Sequence, residues 1–183
     1  MRNFDYKITL IVIGILLAIV LMCVFGVQGS RNGAINREEQ IATAYSNIDV
    51  QQKRRADLIP NLVDCVKAYD KHEYNTLMAA INARNMRDDA QANEVQTLIA
   101  AVAEAYPELK SNSNYRELMN ELSITENSIA NYRSNYNYQV RAYRNYVRSF
   151  PNNFLLPMSG YEVVTYEYLD YNVSVDAPTN LFD

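Results

Sequence analysis

Several residue types are scarce in this chain of 183 residues, and each scarcity narrows the class of protein. Trp is absent, and there are only two Cys and one His. These cannot supply the usual ligand set of a structural zinc site, and they exclude a scaffold held together by several disulfides. Five Gly and five Pro are also too few for a collagen-like or low-complexity chain.

The residues that are abundant indicate a folded protein. Hydrophobic residues make up 49% of the chain and charged residues 21%, which is normal for a globular domain and unlike a disordered one. Tyr is frequent, with 15 copies. The net charge of −4 arises at the C-terminal end, where residues 151–183 contain carboxylates but no Lys or Arg. We therefore predict no nucleic-acid partner, because phosphate binding needs a net basic face.

A long uncharged segment near the N-terminus predicts a membrane span. Residues 8–30 contain no charged side chain, and residues 8–27 are almost wholly apolar. A helix over residues 8–27 is ~30 Å long, which matches the hydrocarbon core of a bilayer. The alternative is a cleaved signal peptide, which has a shorter apolar region and a small-residue cleavage site. The run favours an uncleaved anchor, with the lipid bilayer as its partner.

Basic residues flank the apolar run on both sides and bear on its orientation. Arg2 and Lys7 precede the run. Arg31 and Arg37 follow it, so the nearest flanks tie. A wider window adds the basic triplet at residues 53–55 on the C-terminal side. Because cytoplasmic flanks are enriched in Lys and Arg, this balance favours a cytoplasmic location for the rest of the chain.

A heptad pattern without a phase slip predicts one long helix over residues 115–150. Asn114 is a candidate N-cap, with Glu117 at the capping-box spacing, and Pro151 ends the segment. The pattern places one apolar and aromatic face against a partner helix, with Tyr138 off that face. The face is formed by Tyr115, Leu118, Leu122, Thr125, Ile129, Tyr132, Tyr136, Gln139, Tyr143, Tyr146 and Phe150.

A second heptad pattern follows the apolar run and continues in phase across Pro60. Either the helix kinks at Pro60, or a new helix begins with Asp57 as its cap; the preserved phase favours the kink. Gln51 and Arg55 occupy face positions and form a polar layer, which can determine register and partner choice. The face comprises Ile41, Ala44, Ile48, Gln51, Arg55, Leu58, Leu62, Cys65 and Tyr69.

A shorter helix is expected between the two long ones, with Val95, Leu98, Ile99, Val102 and Tyr106 on one face after a polar turn at residues 86–93. Sequential amphipathic helices joined by short turns pack antiparallel. The predicted fold is therefore all-α: an N-terminal transmembrane helix, an elongated antiparallel bundle of heptad-patterned helices, and an extended Tyr-rich tail. The corresponding domains are residues 1–30, 31–150 and 151–183.

The C-terminal segment has a different character. Val and Thr surround four tyrosines, and this composition favours extended structure or a short strand from residue 151 onward. The tyrosines are candidate contact residues: Tyr161, Tyr166, Tyr168 and Tyr171. The five carboxylates of the tail could lie over the Arg-rich end of the long helix, a hypothesis based on charge alone.

The sequence contains no recognisable catalytic motif. His72-Glu73 begins like a zinc-protease helix, but residue 76 is Thr where the second His ligand is required. Cys23 lies in the apolar run, and Cys65 has no His nearby in the sequence to activate it. We therefore expect no catalytic, cofactor-binding or metal-binding residues, and no enzyme activity.

Several separate segments in matching order resemble the LemA family. The resemblance implies a bacterial inner-membrane protein with one span and a helical body, usually placed in the cytoplasm, and it implies no reaction. The segments are residues 44–63 (AYSNIDVQQKRRADLIPNLV), 103–110 (AEAYPELK), 121–122, 125–127, 141–143 and 150–153, and the Asp176-Ala-Pro178 element resembles the family's ending. The tail before that ending departs from the family pattern.

The family's hallmark segment lies within residues 51–61. We interpret it as structural first, while a contact with another copy or with a partner is an equal alternative for its polar side chains. Its matching residues are Gln51, Lys53, Arg54, Arg55, Asp57, Pro60 and Asn61.

Two functions are consistent with these features. The first is a membrane-anchored, non-enzymatic scaffold or adaptor that presents a helical bundle and self-associates. The second is a regulatory or envelope-stress partner of a membrane enzyme such as a protease, which rests on family association alone.

Overall fold

The structure is a computed structural model that describes residues 2–170, with side chains from residue 8 onward. Within that range the chain is all-α, as predicted, and it has no strand. The helices divide into two compact units: unit 1 is the described part of Met1–Ala42 with Asn137–Tyr168, and unit 2 is Thr43–Tyr136 with the described part of Leu169–Asp183. The helices are α1 (Arg2–Val66), α2 (Lys71–Asn82), α3 (Asp89–Ala105), α4 (Pro107–Ser111), α5 (Ser113–Arg148) and α6 (Asn152–Met158).

Helix α1 is continuous through Pro60, so the continuity that the heptad phase favoured is confirmed and a new helix capped by Asp57 is not formed. A proline inside a helix removes one backbone hydrogen bond. The segment stays helical because Ile59 and Leu62, on either side of Pro60, are completely buried. Their packing offsets the lost hydrogen bond.

The N-terminal part of α1 has the properties of a membrane span. Its large apolar side chains between Ile8 and Phe25 are 47% to 76% exposed. Among the described residues, α1 alone is long and apolar enough to cross a membrane, and none of its apolar window is buried in the protein. By its length and composition, this part of α1 is able to cross a bilayer.

Unit 2 contains the main hydrophobic core. Helices α2, α3 and α4 cover the C-terminal part of α1 and the N-terminal part of α5. Burial of each large aliphatic side chain stabilises the fold by about 1.5–3 kcal/mol. The core comprises Leu58, Ile59, Leu62, Val63 and Val66 of α1, Leu77 and Ile81 of α2, Ala92, Val95, Ile99, Val102 and Ala103 of α3, Leu109 of α4, Tyr115 and Leu122 of α5, and Met86.

Helix α2 was not anticipated from the sequence. The Asp70 side chain caps it and accepts hydrogen bonds from the backbone N–H groups of His72 (2.7 Å) and Glu73 (3.0 Å). Hydrogen bonds from Glu73 and from the Tyr106 hydroxyl lower the pKa of Asp70. His72 is exposed on the first turn.

Two helix starts differ from the sequence-based expectation. Helix α3 begins within the expected polar turn, at Asp89, because the Asp88 side chain accepts a hydrogen bond from the Gln91 N–H at 3.0 Å. Helix α5 is capped by Asn112 and not by Asn114, since the Asn112 Oδ1 atom accepts the N–H groups of Asn114 and Tyr115 at 2.9 and 3.1 Å. Several short polar residues in a row make the cap position ambiguous in the sequence.

The heptad face of α5 is largely buried, with one error at its end. Tyr115, Leu122, Thr125 and Ile129 are buried in unit 2. Tyr143 is buried in unit 1, and Tyr138 is exposed, as expected off the face. Phe150 was assigned to the face but is 84% exposed, because α5 ends at Arg148.

Unit 1 joins the end of the apolar run to the C-terminal part of α5. The Tyr146 hydroxyl donates to the Ser30 carbonyl at 3.1 Å, and the Arg37 guanidinium lies 3.8 Å from the centre of the Tyr146 ring. This close approach needs Gly33, because a Cβ atom there would lie 2.7 Å from Tyr146 Cζ. The contact therefore locks α5 against α1 immediately beyond the apolar run.

The C-terminal segment begins differently from the expected extended structure or short strand. Residues Asn152–Met158 form the short helix α6, and residues 161–170 follow without regular secondary structure. The Asn152 side chain explains the local order: its Nδ2 atom donates to the Tyr146 carbonyl at 3.1 Å, and its Oδ1 atom accepts from Ser30 Oγ at 2.8 Å. Strand propensity does not include such side-chain contacts. It predicted extended structure from the Val and Thr residues that follow α6 in the sequence.

Candidate functional site

The hallmark segment forms three turns of α1 in unit 2, and its residues face different surroundings. Arg55 is buried, with 1% of its surface exposed. Gln51 and Pro60 are half-buried. The remaining four residues are exposed: Lys53, Arg54, Asp57 and Asn61. The prediction that Arg55 occupies the packed face of the helix is confirmed.

The Arg55 guanidinium holds the connection between α2 and α3. Its Nε atom donates to the Met86 carbonyl at 3.0 Å, and its Nη2 atom donates to the Arg87 carbonyl at 2.6 Å. These two carbonyls lie outside helices and have no helical partner of their own. Arg55 therefore supplies hydrogen-bond donors to two carbonyls that no helix pairs.

The same guanidinium is at the centre of an ion network that we call the Arg55 cluster, formed by Arg55, Asp89, Glu126, Arg133 and Gln96. Its Nη1 atom lies 3.0 Å from Asp89 Oδ1 and 3.3 Å from Glu126 Oε2. Arg133 pairs with the other Asp89 oxygen, and Gln96 Nε2 donates to Glu126 Oε1 at 2.8 Å. Two positive and two negative charges balance, which makes burial of Arg55 tolerable.

One atom of the Arg55 cluster is incompletely satisfied. Within the described part of the chain, the Asp89 Oδ1 atom accepts no hydrogen bond, so its 3.0 Å approach to Arg55 is an ion pair alone. The Asp89 side chain keeps 27% of its surface exposed. The cluster ties α1, α3 and α5 together at one level, and its groups bind one another and backbone carbonyls. Each of its charged groups is paired with an opposite charge, which is typical of a structural ion network.

Asn61, at the end of the hallmark segment, lines an open groove between α1 and α5 in unit 2. Its volume is about 420 Å³, and it is lined by Asn61, Cys65, Asn114, Glu117, Leu118 and Glu121. Arg54 forms an ion pair with Glu121 at the groove wall. Burial, and secondarily the neighbouring Asp64, raise the pKa of the Cys65 thiol. A raised pKa disfavours the thiolate form, which is the nucleophilic one.

Two predicted tail contacts belong to a tyrosine cluster in unit 1, formed by Tyr143, Tyr161, Tyr166 and Glu38. The Tyr161 hydroxyl donates to Glu38 Oε1 at 2.7 Å, and the Tyr143 hydroxyl lies 3.2 Å from the same oxygen. The Tyr166 ring meets the Tyr143 ring edge-on, with centres 5.5 Å apart. Burial, then hydrogen bonds with Tyr143 and Glu38, strongly raise the pKa of Tyr161.

The remaining tail contacts involve Arg144. Its guanidinium donates to the Tyr166 carbonyl and lies 4.5 Å from the centre of the Tyr168 ring. At Arg144, the tail therefore contributes a backbone carbonyl and an aromatic ring. These are not the tail carboxylates that the hypothesis based on charge had placed over the Arg-rich end of α5. Glu162, Glu167 and Asp170 are exposed. Tyr171, the fourth predicted contact, lies outside the described residues, as do the last two carboxylates.

Replacing Tyr161 by Phe should loosen the tail from unit 1, because Glu38 loses its shorter hydrogen bond. We expect faster hydrogen exchange at residues 161–168 and a stability loss of about 1 kcal/mol. Tyr168→Phe is the matched control, since its ring contact with Arg144 survives. The tail contact should hold below the ordinary tyrosine pKa and weaken as the pH rises through the elevated pKa of Tyr161, because a phenolate beside Glu38 is repelled. Equal exchange in the two variants would contradict this role.

In residues 8–170, no group of three or more His, Cys, Asp or Glu side chains is arranged to hold a metal ion. The carboxylates of the Arg55 cluster are neutralised by arginines and offer no such set.

The packed position of Arg55 was predictable from the sequence, but its acidic partners were not. A buried arginine on a helix face requires acidic partners. The sequence offers many carboxylates, however, and Asp89 and Glu126 are brought to Arg55 by packing of α3 and α5. Glu38 was likewise missed, because its tyrosine partners lie more than a hundred residues away along the chain.

The fold and site define a class of protein: an all-α bundle built on a long helix whose N-terminal part is exposed and apolar. The LemA family model matches residues 44–179, which is most of the chain, and the chain belongs to this family. A search of curated proteins found no match. The matched range includes the hallmark segment and the three tyrosines of the tyrosine cluster, Tyr143, Tyr161 and Tyr166.

Proposed function

We propose that this protein is a membrane-anchored, non-enzymatic scaffold or adaptor that presents a helical bundle at the membrane surface. One observation carries the proposal: α1 is a single helix of 65 residues that is exposed and apolar in its N-terminal part and packed further along. The chain passes from the apolar part to the packed part of α1 without a non-helical linker, which supports a bundle attached directly to the span.

The chemistry of the polar groups supports a role without catalysis. Arg55 uses its donors on backbone carbonyls and paired carboxylates. The Cys65 thiol has a raised pKa, which disfavours its use as a nucleophile. We therefore interpret the exposed groove beside the hallmark segment as a binding surface and not as a catalytic site.

Membrane anchoring is tested by extraction of membranes with alkaline carbonate. The full chain should stay in the membrane fraction, and Val12→Arg with Ile19→Arg should release it, because charge in the bilayer core costs about 2.5–3.5 kcal/mol per residue. The matched control is Ile35→Arg with Val50→Arg, which adds the same charge at exposed apolar positions further along α1. Release of the unaltered chain by carbonate would contradict the anchor.

Self-association and a cytoplasmic bundle remain predictions of the same proposal. Light scattering on the detergent-solubilised chain gives the number of copies in each particle. A uniform oligomer would support a scaffold that self-associates, and a monomer would contradict self-association. Regulation of a membrane enzyme such as a protease stays a prediction, since no contact among the described residues favours it.

A further inference from the structure

We propose that α6 and Phe150, two residues before its start, form a second membrane contact, in which this segment lies in the headgroup region of the bilayer beside the span. This inference rests on the proposed membrane anchor. Its occupant is the lipid bilayer, and its contact residues are Phe150, Phe154 and Met158.

The first argument is exposure of large apolar side chains. Phe150 is 84% exposed, Phe154 is 63% exposed and Met158 is 65% exposed. Three such residues within nine positions are unusual for a surface bathed in water. In contrast, Leu156 on the other side of α6 is completely buried. Helix α6 thus has one face packed within unit 1 and an apolar face that the other described residues leave exposed.

The second argument is position beside the apolar run. In unit 1, Asn152 at the start of α6 is hydrogen-bonded to Ser30. One helical turn further, Leu155 Cδ1 lies 3.9 Å from the place that a Cβ atom would occupy at Gly26. Gly26 is inside the uncharged run, so α6 descends along α1 toward the span. The four residues from Ser30 to Gly26 correspond to about 6 Å along the helix axis.

That depth suits a segment at the membrane interface. Apolar faces of interfacial helices insert about 5–10 Å into the boundary between headgroups and acyl chains. Aromatic residues are enriched at this boundary. Phe154 lies between Asn152 and Leu155 in the sequence and therefore at the same level of α1. An apolar surface at that level meets lipid without any movement of unit 1.

The third argument is charge. Residues 149–161 contain no charged side chain, although charged residues are frequent in the preceding part of α5. Arg148 directly precedes this stretch and Arg31 directly follows the apolar run; both are exposed. Arginines at this level can contact lipid phosphates while the apolar face lies deeper. No carboxylate interrupts the stretch until Glu162.

The test uses the full chain with both native cysteines replaced by Ala, labelled at one new cysteine with the environment-sensitive dye NBD. The protein is reconstituted in vesicles of phosphatidylcholine and phosphatidylglycerol that carry nitroxide-labelled lipids. The quencher is placed either near the headgroups or deep in the acyl chains. The three label positions are Leu16→Cys, Phe154→Cys and Tyr138→Cys. Tyr138 is the matched control, because it is an exposed aromatic residue of unit 1 far from α6 along α5.

We expect headgroup-level nitroxide to quench the dye at residue 154 more than deep nitroxide does. Deep nitroxide should quench the dye at residue 16, and neither should quench the dye at residue 138. If residue 16 is quenched and residue 154 behaves like residue 138, the second contact is refuted while the anchor stands. If residue 16 escapes quenching, the anchor fails, and the second contact fails with it.

Discussion

Replacing Arg55 by Met should lower the free energy of unfolding by about 3 kcal/mol, the low end of the range for breaking a buried ion pair. The carbonyls of Met86 and Arg87 then lose their hydrogen-bond donor, and Glu126 loses its ion pair with residue 55. The low end applies because Asp89 and Glu126 keep 27% and 31% of their side-chain surface exposed, so water solvates part of the uncompensated charge. Urea unfolding of the solubilised chain, followed by circular dichroism, measures the loss.

Lys53→Met is the matched control for Arg55→Met, because it removes a positive charge at an exposed position of the same helix. Its effect should stay within about 0.5 kcal/mol. Adding Glu126→Leu to Arg55→Met should cost less than the sum of the single changes, since the carboxylate that lost its partner is also removed. If Arg55→Met is no worse than Lys53→Met, the Arg55 cluster does not hold unit 2 together.

Replacing Gly33 by Ala should lower the stability of unit 1 by about 1–3 kcal/mol, the usual cost of overpacking. The new methyl group would overlap the Tyr146 ring and hydroxyl. Tyr146 has little freedom to withdraw, because its hydroxyl is bonded to Ser30 and its ring is held under Arg37. Thermal unfolding and hydrogen exchange of the residues around Gly33 measure the effect.

Gly29→Ala provides a control of opposite sign one turn earlier on the same helix. No atom lies within 4 Å of a Cβ at Gly29, so the alanine should raise stability by about 0.5–1 kcal/mol through helix propensity. The cost of Gly33→Ala should also shrink in a Tyr146→Ala background, because the two changes share one contact. Stabilisation by both alanines would contradict the proposed lock between α1 and α5.

Both sites bring together residues that are far apart along the chain. Gly33 and Tyr146 are more than a hundred residues apart, and nothing in the sequence marks either as the partner of the other. The heptad pattern placed Tyr146 on the packed face of α5, but a pattern gives the face and not the opposing residue. The same limit applies to Arg55: its burial was predictable from phase, whereas Asp89 and Glu126 were not identifiable as its partners.

Local signals were informative where they were long and regular, and misleading where they were short. The heptads of α1 and α5 predicted long helices and continuity through Pro60, because many buried residues agree on one phase. The short helices α2 and α6 were missed, since few residues define their faces and side-chain caps or contacts stabilise them. Asn112 and Asn114 are chemically equal as caps, so only the backbone path decided between them.

The sequence by itself determined the helical class, the apolar exposed run and the two long heptad faces, because periodicity and hydrophobicity act locally along the chain. Only the tertiary structure decided which side chains meet: Arg55 with Asp89 and Glu126, Gly33 with Tyr146, and Glu38 with Tyr161. The physical reason is that helices from distant parts of the sequence can pair in many registers. The register is chosen by the joint fit of all their side chains, which no single segment contains.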